Sequence, residues 1–266
     1  MRAASARPAM RHVPRKRFGQ HFLVDEAAIA AVVAAIAPQP RERLVEIGPG
    51  LGALTRPLSA RLEHLHAIEL DRDIIARLRA EFSAARVTLH EGDALRFDFS
   101  ALGPRLRVVG NLPYNISTPL LFHLAQHAAA IFDIHVMLQK EVVERMVAPP
   151  SSSEYGRLSV MLQYRFDMEK LLDVPPTAFR PAPRVESAVV RMTPFARLPH
   201  PARDASAFGK IVAAAFSQRR KTLRNALQAH FKAADFEKLG VDAGLRAQDL
   251  SVKDFVRLAN AAGAWL

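Results

Sequence analysis

The stretch VEIGPGLG at residues 45–52 constrains the fold more than any other part of the 266-residue chain. A short β-rich run, 44–47, ends in glycines spaced G-x-G-x-G, and a helical pattern follows at 53–60. Glycine there permits a tight turn and lets the backbone approach a ligand closely. The rhythm then repeats: 65–69, 87–90, 106–109 and 134–138 read as strands, and 72–81, 118–128 and 140–147 as helices. Alternation of this kind predicts an open, parallel, doubly wound sheet. Two more strands, 170–174 and 187–192, are joined through Pro175, Pro176, Pro181 and Pro183, too irregular for a crossover helix. That last pair is expected to be antiparallel and to complete an α/β, Rossmann-like sheet of seven strands.

After Pro194 the composition changes, and 205–216, 219–231 and 247–260 carry apolar residues at helical spacing. The expected organisation is a basic, disordered arm at 1–17, a Rossmann-like domain at 18–195 and a small all-α domain at 196–266. Charge follows this division. Residues 1–40 carry a net +4, residues 41–196 a net +1 and residues 197–266 a net +6. A neutral middle between two basic ends suggests a polyanion held from two sides. The chain has no cysteine, which removes disulfides and thiolate chemistry. Its ten histidines show no metal-ligand spacing, so no metal is expected. The apolar run near 27–37 is too short to cross a bilayer. The arm is Arg-rich and acid-free like a transit peptide, but Pro8 and Pro14 interrupt any helix, and a cytoplasmic monomer is expected.

Chemistry gathers at the strand ends. The G-x-G-x-G spacing departs from the dinucleotide fingerprint, so no pyrophosphate is expected on the helix N-terminus. Glu69 ends the second strand, where a carboxylate accepts hydrogen bonds from ribose hydroxyls. Asp93 ends the third, placed to accept from an adenine amino group. All three features lie at carboxyl ends of successive strands, where open α/β sheets bind ligands. An adenosyl ligand without phosphates fits: S-adenosylmethionine.

The stretch GNLPYNIST, residues 110–118, follows the fourth strand on the same rim. An exocyclic adenine amine is a poor nucleophile because its lone pair is delocalised into the ring. Acceptors for its N6 hydrogens can turn that lone pair toward an incoming methyl. Asn111 offers a side-chain carbonyl, and Leu112 a backbone carbonyl whose direction Pro113 fixes. Tyr114 can stack on the base. Proximity and electrostatic positioning then suffice without a general base.

Five motifs in order, RKRFGQHFL (15–23), EIGPGLGALT (46–55), GNLPYNIST (110–118), FRPAPRVESAVVR (179–191) and FSQRRKTLRNAL (216–227), make the chain resemble the ribosomal RNA adenine dimethyltransferase family, in its bacterial small-subunit branch. The resemblance implies that His21, Leu23, Gly48, Glu69, Asp93 and Asn111 contact S-adenosylmethionine, with Gly50 in the same turn. It implies that Asn111, Leu112 and Tyr114 hold the target adenine and that Phe179 covers its other face. Position 21 is commonly Asn in the family and is His here. The implied substrate is a pair of adjacent adenosines in the 3′-terminal hairpin loop of 16S rRNA, each methylated twice at N6 after leaving the stack. Arg15, Lys16 and Arg17 at one end, and Arg219, Arg220, Lys221 and Arg224 at the other, are the expected phosphate contacts. Phe18 and Phe22 could order part of the arm over the cofactor. A 23S rRNA methyltransferase would share the cofactor and an NLPY-like motif, a small-molecule methyltransferase would not need the basic appendage, and a non-catalytic assembly factor would not need the intact site.

Overall fold

The computed structural model describes residues 21–218 and 220–262. The described chain runs β1 (Phe22–Leu23), α1 (Glu26–Ile36), β2 (Leu44–Ile47), α2 (Thr55–Arg61), β3 (Leu65–Glu69), α3 (Arg72–Glu81) and β4 (Val87–Glu91). It continues through β5 (Leu106–Asn111), α4 (Ser117–Gln126), β6 (Ile131–Gln139), α5 (Lys140–Val147), α6 (Arg157–Gln163), β7 (Phe166–Val174), β8 (Phe179–Arg180) and β9 (Ser187–Pro194). Four helices follow: α7 (Ala205–Phe216), α8 (Leu223–Ala226), α9 (Ala233–Leu239) and α10 (Val252–Ala262). The arm at 1–17 lies outside the described residues.

Seven strands form one sheet in the order β4-β3-β2-β5-β6-β9-β7. The first five are parallel, and β9 runs antiparallel to both β6 and β7. The sheet is therefore the expected α/β one, with β9 inserted between its neighbours. Its central strands are buried on both faces, which is why LVEI and LRVVGN read as nearly continuous apolar runs. One face packs Leu44, Ala67 and Val109 against Val33 and Ile36 of α1 and Leu58 of α2. The other packs Val45, Val108 and Val136 against Leu120 and Leu124 of α4 and Val143 of α5.

Helix starts follow local chemistry. Asp25, Asp71 and Asp204 each cap a helix by accepting from a backbone N–H of its first turn. The alanine-rich sequence of α1 shows little periodicity, and neither it nor the seven-residue α6 and α9 stands out as a helix in the sequence pattern. The expected helix at 219–231 is reduced to the four residues of α8. Thr222 instead bridges Arg246, and the Leu223 N–H donates to the Leu245 carbonyl, so the segment spends its backbone groups on a tertiary pairing. The expected helix at 247–260 splits at Ser251, where Asp254 accepts from the Ser251 N–H and hydroxyl before α10. Tyr155, Val160 and Tyr164, from the chain before β7, pack in the same hydrophobic cluster as α7 and α10.

At the end of the sheet away from the glycine turn, Arg107 is buried. Its Nε and a terminal nitrogen donate to both oxygens of Asp133, each at 2.8 Å, and the other terminal nitrogen to Glu42 at 2.6 Å. Asp133 lies beside Arg107 on the neighbouring strand, so the pair ties β5 to β6. Asp133→Ala leaves a buried guanidinium with half its partners. Urea denaturation should show a loss of roughly 3 kcal/mol, with ligand binding at the far end of the sheet unchanged.

Candidate active site

A cavity of about 320 Å³ opens at the carboxyl ends of the parallel strands. Its walls are β1, the turns after β2, β3 and β4, and the turn after β5. His21, Leu23, Gly48, Gly50, Glu69, Asp93, Asn111, Leu112, Pro113 and Tyr114 all line it. The structure thus brings together ten positions spread over more than ninety residues of sequence.

The glycine turn is shaped by positive φ. Gly50 has φ +53°, and a Cβ there would come within 3.1 Å of the Phe22 ring, which lies across the turn from β1. Glu69 Oε1 accepts from the N–H groups of Leu70 and Asp71 at 2.8 and 2.9 Å, which fixes the carboxylate at the strand end. Burial pushes its pKa above the ordinary value, and the N–H groups of Asp71, Leu70 and Gly50 oppose the shift. Asp93 Oδ1 accepts from the Leu95 N–H at 2.9 Å and caps the short turn Ala94–Arg96.

Asn111 donates its side-chain amide to the backbone carbonyl of His21 at 3.0 Å. With its donor so engaged, the Asn111 Oδ1 and the Leu112 carbonyl accept no hydrogen bond from the described residues. The Leu112 N–H donates to the Met137 carbonyl at 3.1 Å, and the Pro113 carbonyl accepts from the Ile116 N–H, so the turn is held from behind. Tyr114 lies beside the His21 ring, with centroids 5.7 Å apart and planes 28° apart. His21 Nδ1 is 2.8 Å from the Pro181 carbonyl, an acceptor, so that nitrogen carries the proton.

One acidic residue of the cavity, Glu46, is not legible as a site residue in the sequence. Glu46 sits mid-strand on β2, 2% exposed, with the Thr55 hydroxyl donating to it at 2.7 Å. The signal was an acid within an apolar strand. Burial, with Glu69 adding to it against the Thr55 hydrogen bond, raises its pKa to about 7. Among the described residues, three carboxyl groups line the cavity and no lysine or arginine does. That donor set fits S-adenosylmethionine, an adenosyl group with cationic centres and no phosphates.

A family model described as ribosomal RNA adenine dimethylase matches residues 11–263. The chain belongs to this family. A relative from Thiobacillus denitrificans, named ribosomal RNA small subunit methyltransferase A, is 65% identical over 244 residues, 92% of this chain and 96% of its own. One of the same name from Burkholderia thailandensis is 56% identical and covers 98% of both chains. Among solved structures, a dimethyladenosine transferase from Plasmodium falciparum aligns with TM-score 0.76 at 24% identity, over 90% of this chain and 96% of that one. The 23S rRNA methyltransferase ErmE aligns with TM-score 0.72 at 22% identity, over 91% and 99%. Both structures share the fold.

Two expectations drawn from the family pattern meet the structure differently. Phe179 is not among the cavity-lining residues: it is 0% exposed, on β8, paired with Leu23 of β1 and packed in the core beneath it. An FR dipeptide next to prolines gave no sign that β8 would be clamped by a two-residue strand from the other end of the chain. Arg220, Lys221 and Arg224 are exposed around the start of α8, whereas Arg15, Lys16, Arg17 and Arg219 lie outside the described residues. Among those described, no cluster of histidine and acidic residues could hold a metal ion, and no helix is long and apolar enough to cross a membrane.

Glu46 gives a pH signature. A carboxyl whose pKa rises from 4.5 unfolded to about 7 folded stabilises the fold while protonated, and that contribution is lost as pH rises between those values. The protonated form is mimicked by Glu46→Gln, whose carbonyl can still accept from Thr55. Urea denaturation of the ligand-free protein should show the stability gap moving in favour of Gln by roughly 3 kcal/mol from about pH 5 to about pH 8.

Proposed function

We propose that this chain transfers methyl groups from S-adenosylmethionine to N6 of two adjacent adenosines in the 3′-terminal hairpin loop of 16S rRNA, giving N6,N6-dimethyladenosines. It acts in the cytoplasm as a monomer, on the small ribosomal subunit, as part of subunit biogenesis. The observation that carries the reading is a pair of acceptors, Asn111 Oδ1 and the Leu112 carbonyl, that take no hydrogen bond from the described residues and belong to cavity-lining residues next to Tyr114.

Bound S-adenosylmethionine supplies an electrophilic methyl group on a sulfonium. Glu69 would accept from the ribose hydroxyls and Asp93 from the adenine amine of that cofactor, and Gly48 and Gly50 would give it room by lacking a side chain. Asn111 and Leu112 accept the two N6 hydrogens of the target adenine and aim its lone pair into the cavity. Tyr114 stacks on the extruded base and offsets part of the unstacking cost. Leu23 and the buried side chain of Leu112 exclude water from the path. As N6 takes the methyl group, the bond from that carbon to sulfur would break and S-adenosylhomocysteine would be the leaving group; the methylated nitrogen then loses its proton to solvent, so no base in the cavity is needed.

Arg220, Lys221 and Arg224 grip phosphates flanking the hairpin, together with Arg219 and the arm residues Arg15, Lys16 and Arg17. They contribute affinity and register, not base choice.

Methyl transfer from labelled cofactor to small subunits lacking the modification tests the reading, with large subunits as control. Label is expected only in 16S rRNA; label confined to 23S rRNA would assign the chain to the other rRNA branch. Tyr114→Ala should lower kcat/KM by roughly 10- to 100-fold, the worth of one stacked base, while cofactor affinity measured by calorimetry stays unchanged. Arg224→Ala should weaken RNA binding and reduce the slope of log K against log salt by about 1.

A further inference from the structure

Tyr114 stands on a turn, and a turn alone does not fix the tilt of an aromatic ring. Its hydroxyl lies 2.7 Å from the Ser187 Oγ. Ser187 is 73 residues away in sequence, 0% exposed, and not among the cavity-lining residues. It is the first residue of β9, flanked by Gln139 of β6 on one side and Val174 of β7 on the other. The residue before it is anchored as well: the Glu186 carbonyl accepts from the Lys140 N–H at 2.9 Å, and its carboxylate pairs with Lys140 Nζ at 2.8 Å. A hydroxyl mounted between two ladders is a rigid peg.

We propose that Ser187 is a positioning residue for methyl transfer: its hydrogen bond to the Tyr114 hydroxyl sets the plane against which the target adenine stacks. The inference rests on the reading of Tyr114 as the wall for the base. Tyr114 is then held at two points, its hydroxyl end by Ser187 and its ring flank by His21, which is itself tied to the Pro181 carbonyl. Ser187 and Pro181 both belong to FRPAPRVES, so that motif serves the base-binding turn through two contacts. A ring free to tilt would carry the base with it and swing N6 out of line with the methyl group, and a misplacement of about 1 Å can cost up to 10²-fold in rate.

The hydrogen bond can be removed from either side. Ser187→Ala deletes the peg, and Tyr114→Phe deletes the hydroxyl while keeping the stacking ring. Each should lower kcat for methylation of undermodified small subunits by about 10-fold, leaving KM for the subunit, cofactor affinity and melting temperature near wild type. The double variant should be no slower than either single one, because both remove the same bond. Additive losses, a fall in cofactor affinity, or full activity in Tyr114→Phe would overturn the positioning role. Should Ser187→Ala fail to fold, Tyr114→Phe alone still decides between these outcomes. Tyr114→Ala separates this proposal from the reading beneath it. If Tyr114→Ala is inactive while Tyr114→Phe is fully active, only the Ser187 proposal fails. If Tyr114→Ala is fully active, Tyr114 is not the wall for the base.

Discussion

The close parallel pairing of β2 with β5 is the constraint on which the site depends. At Gly110 a Cβ would lie 2.5 Å from the Ile47 carbonyl, so the two strands meet at their carboxyl ends only because that residue has no side chain. The approach sets the turn after β2 beside the turn after β5. With β3 on the other flank of β2, the glycine turn, Glu69 and Asn111 face one space. Splaying these strands would separate the cofactor half of the cavity from the acceptor half.

Electrostatics divide the molecule in a way that matches this geometry. Glu46, Glu69 and Asp93 concentrate acidic groups in a cavity that no lysine or arginine lines among the described residues. A buried carboxyl such as Glu46 is costly to ionise alone and easier to ionise beside a cation. The basic residues described near α8 are exposed and lie in the helical part, where a polyanion can reach them without entering the cavity. The same chain can therefore favour a cationic small molecule at one place and a phosphate backbone at another.

The readable parts of the sequence were those whose pattern is local. Buried parallel strands read as apolar runs, and the acids at positions 69 and 93 could be placed by counting to the next strand end. What was hidden depends on partners far along the chain. The short β1 is two residues long and exists only because β8 pairs with it. Phe179 is expected from its motif to be a wall for the base; its pairing with Leu23 and its buried side chain are not legible in that motif. The segment 219–231 has helical spacing, but pairing with the chain at 245–246 limits its helix to α8. Glu46 gave only the faint signal of one acid in an apolar strand, and its neighbours Thr55 and Glu69 come from separate elements.

The sequence by itself determined the succession of the seven sheet strands, the place of the rim, and which residue types stand there, because glycine, proline and apolar periodicity act through the local backbone. Only the tertiary structure decided which donors and acceptors remain unengaged. The Asn111 amide is oriented by its bond to the His21 carbonyl, its own carbonyl accepts from none of the described residues, and the Tyr114 ring is oriented because Ser187 arrives on an antiparallel strand inserted into the sheet. Hydrogen-bond satisfaction is a property of the folded neighbourhood, and no local pattern encodes it.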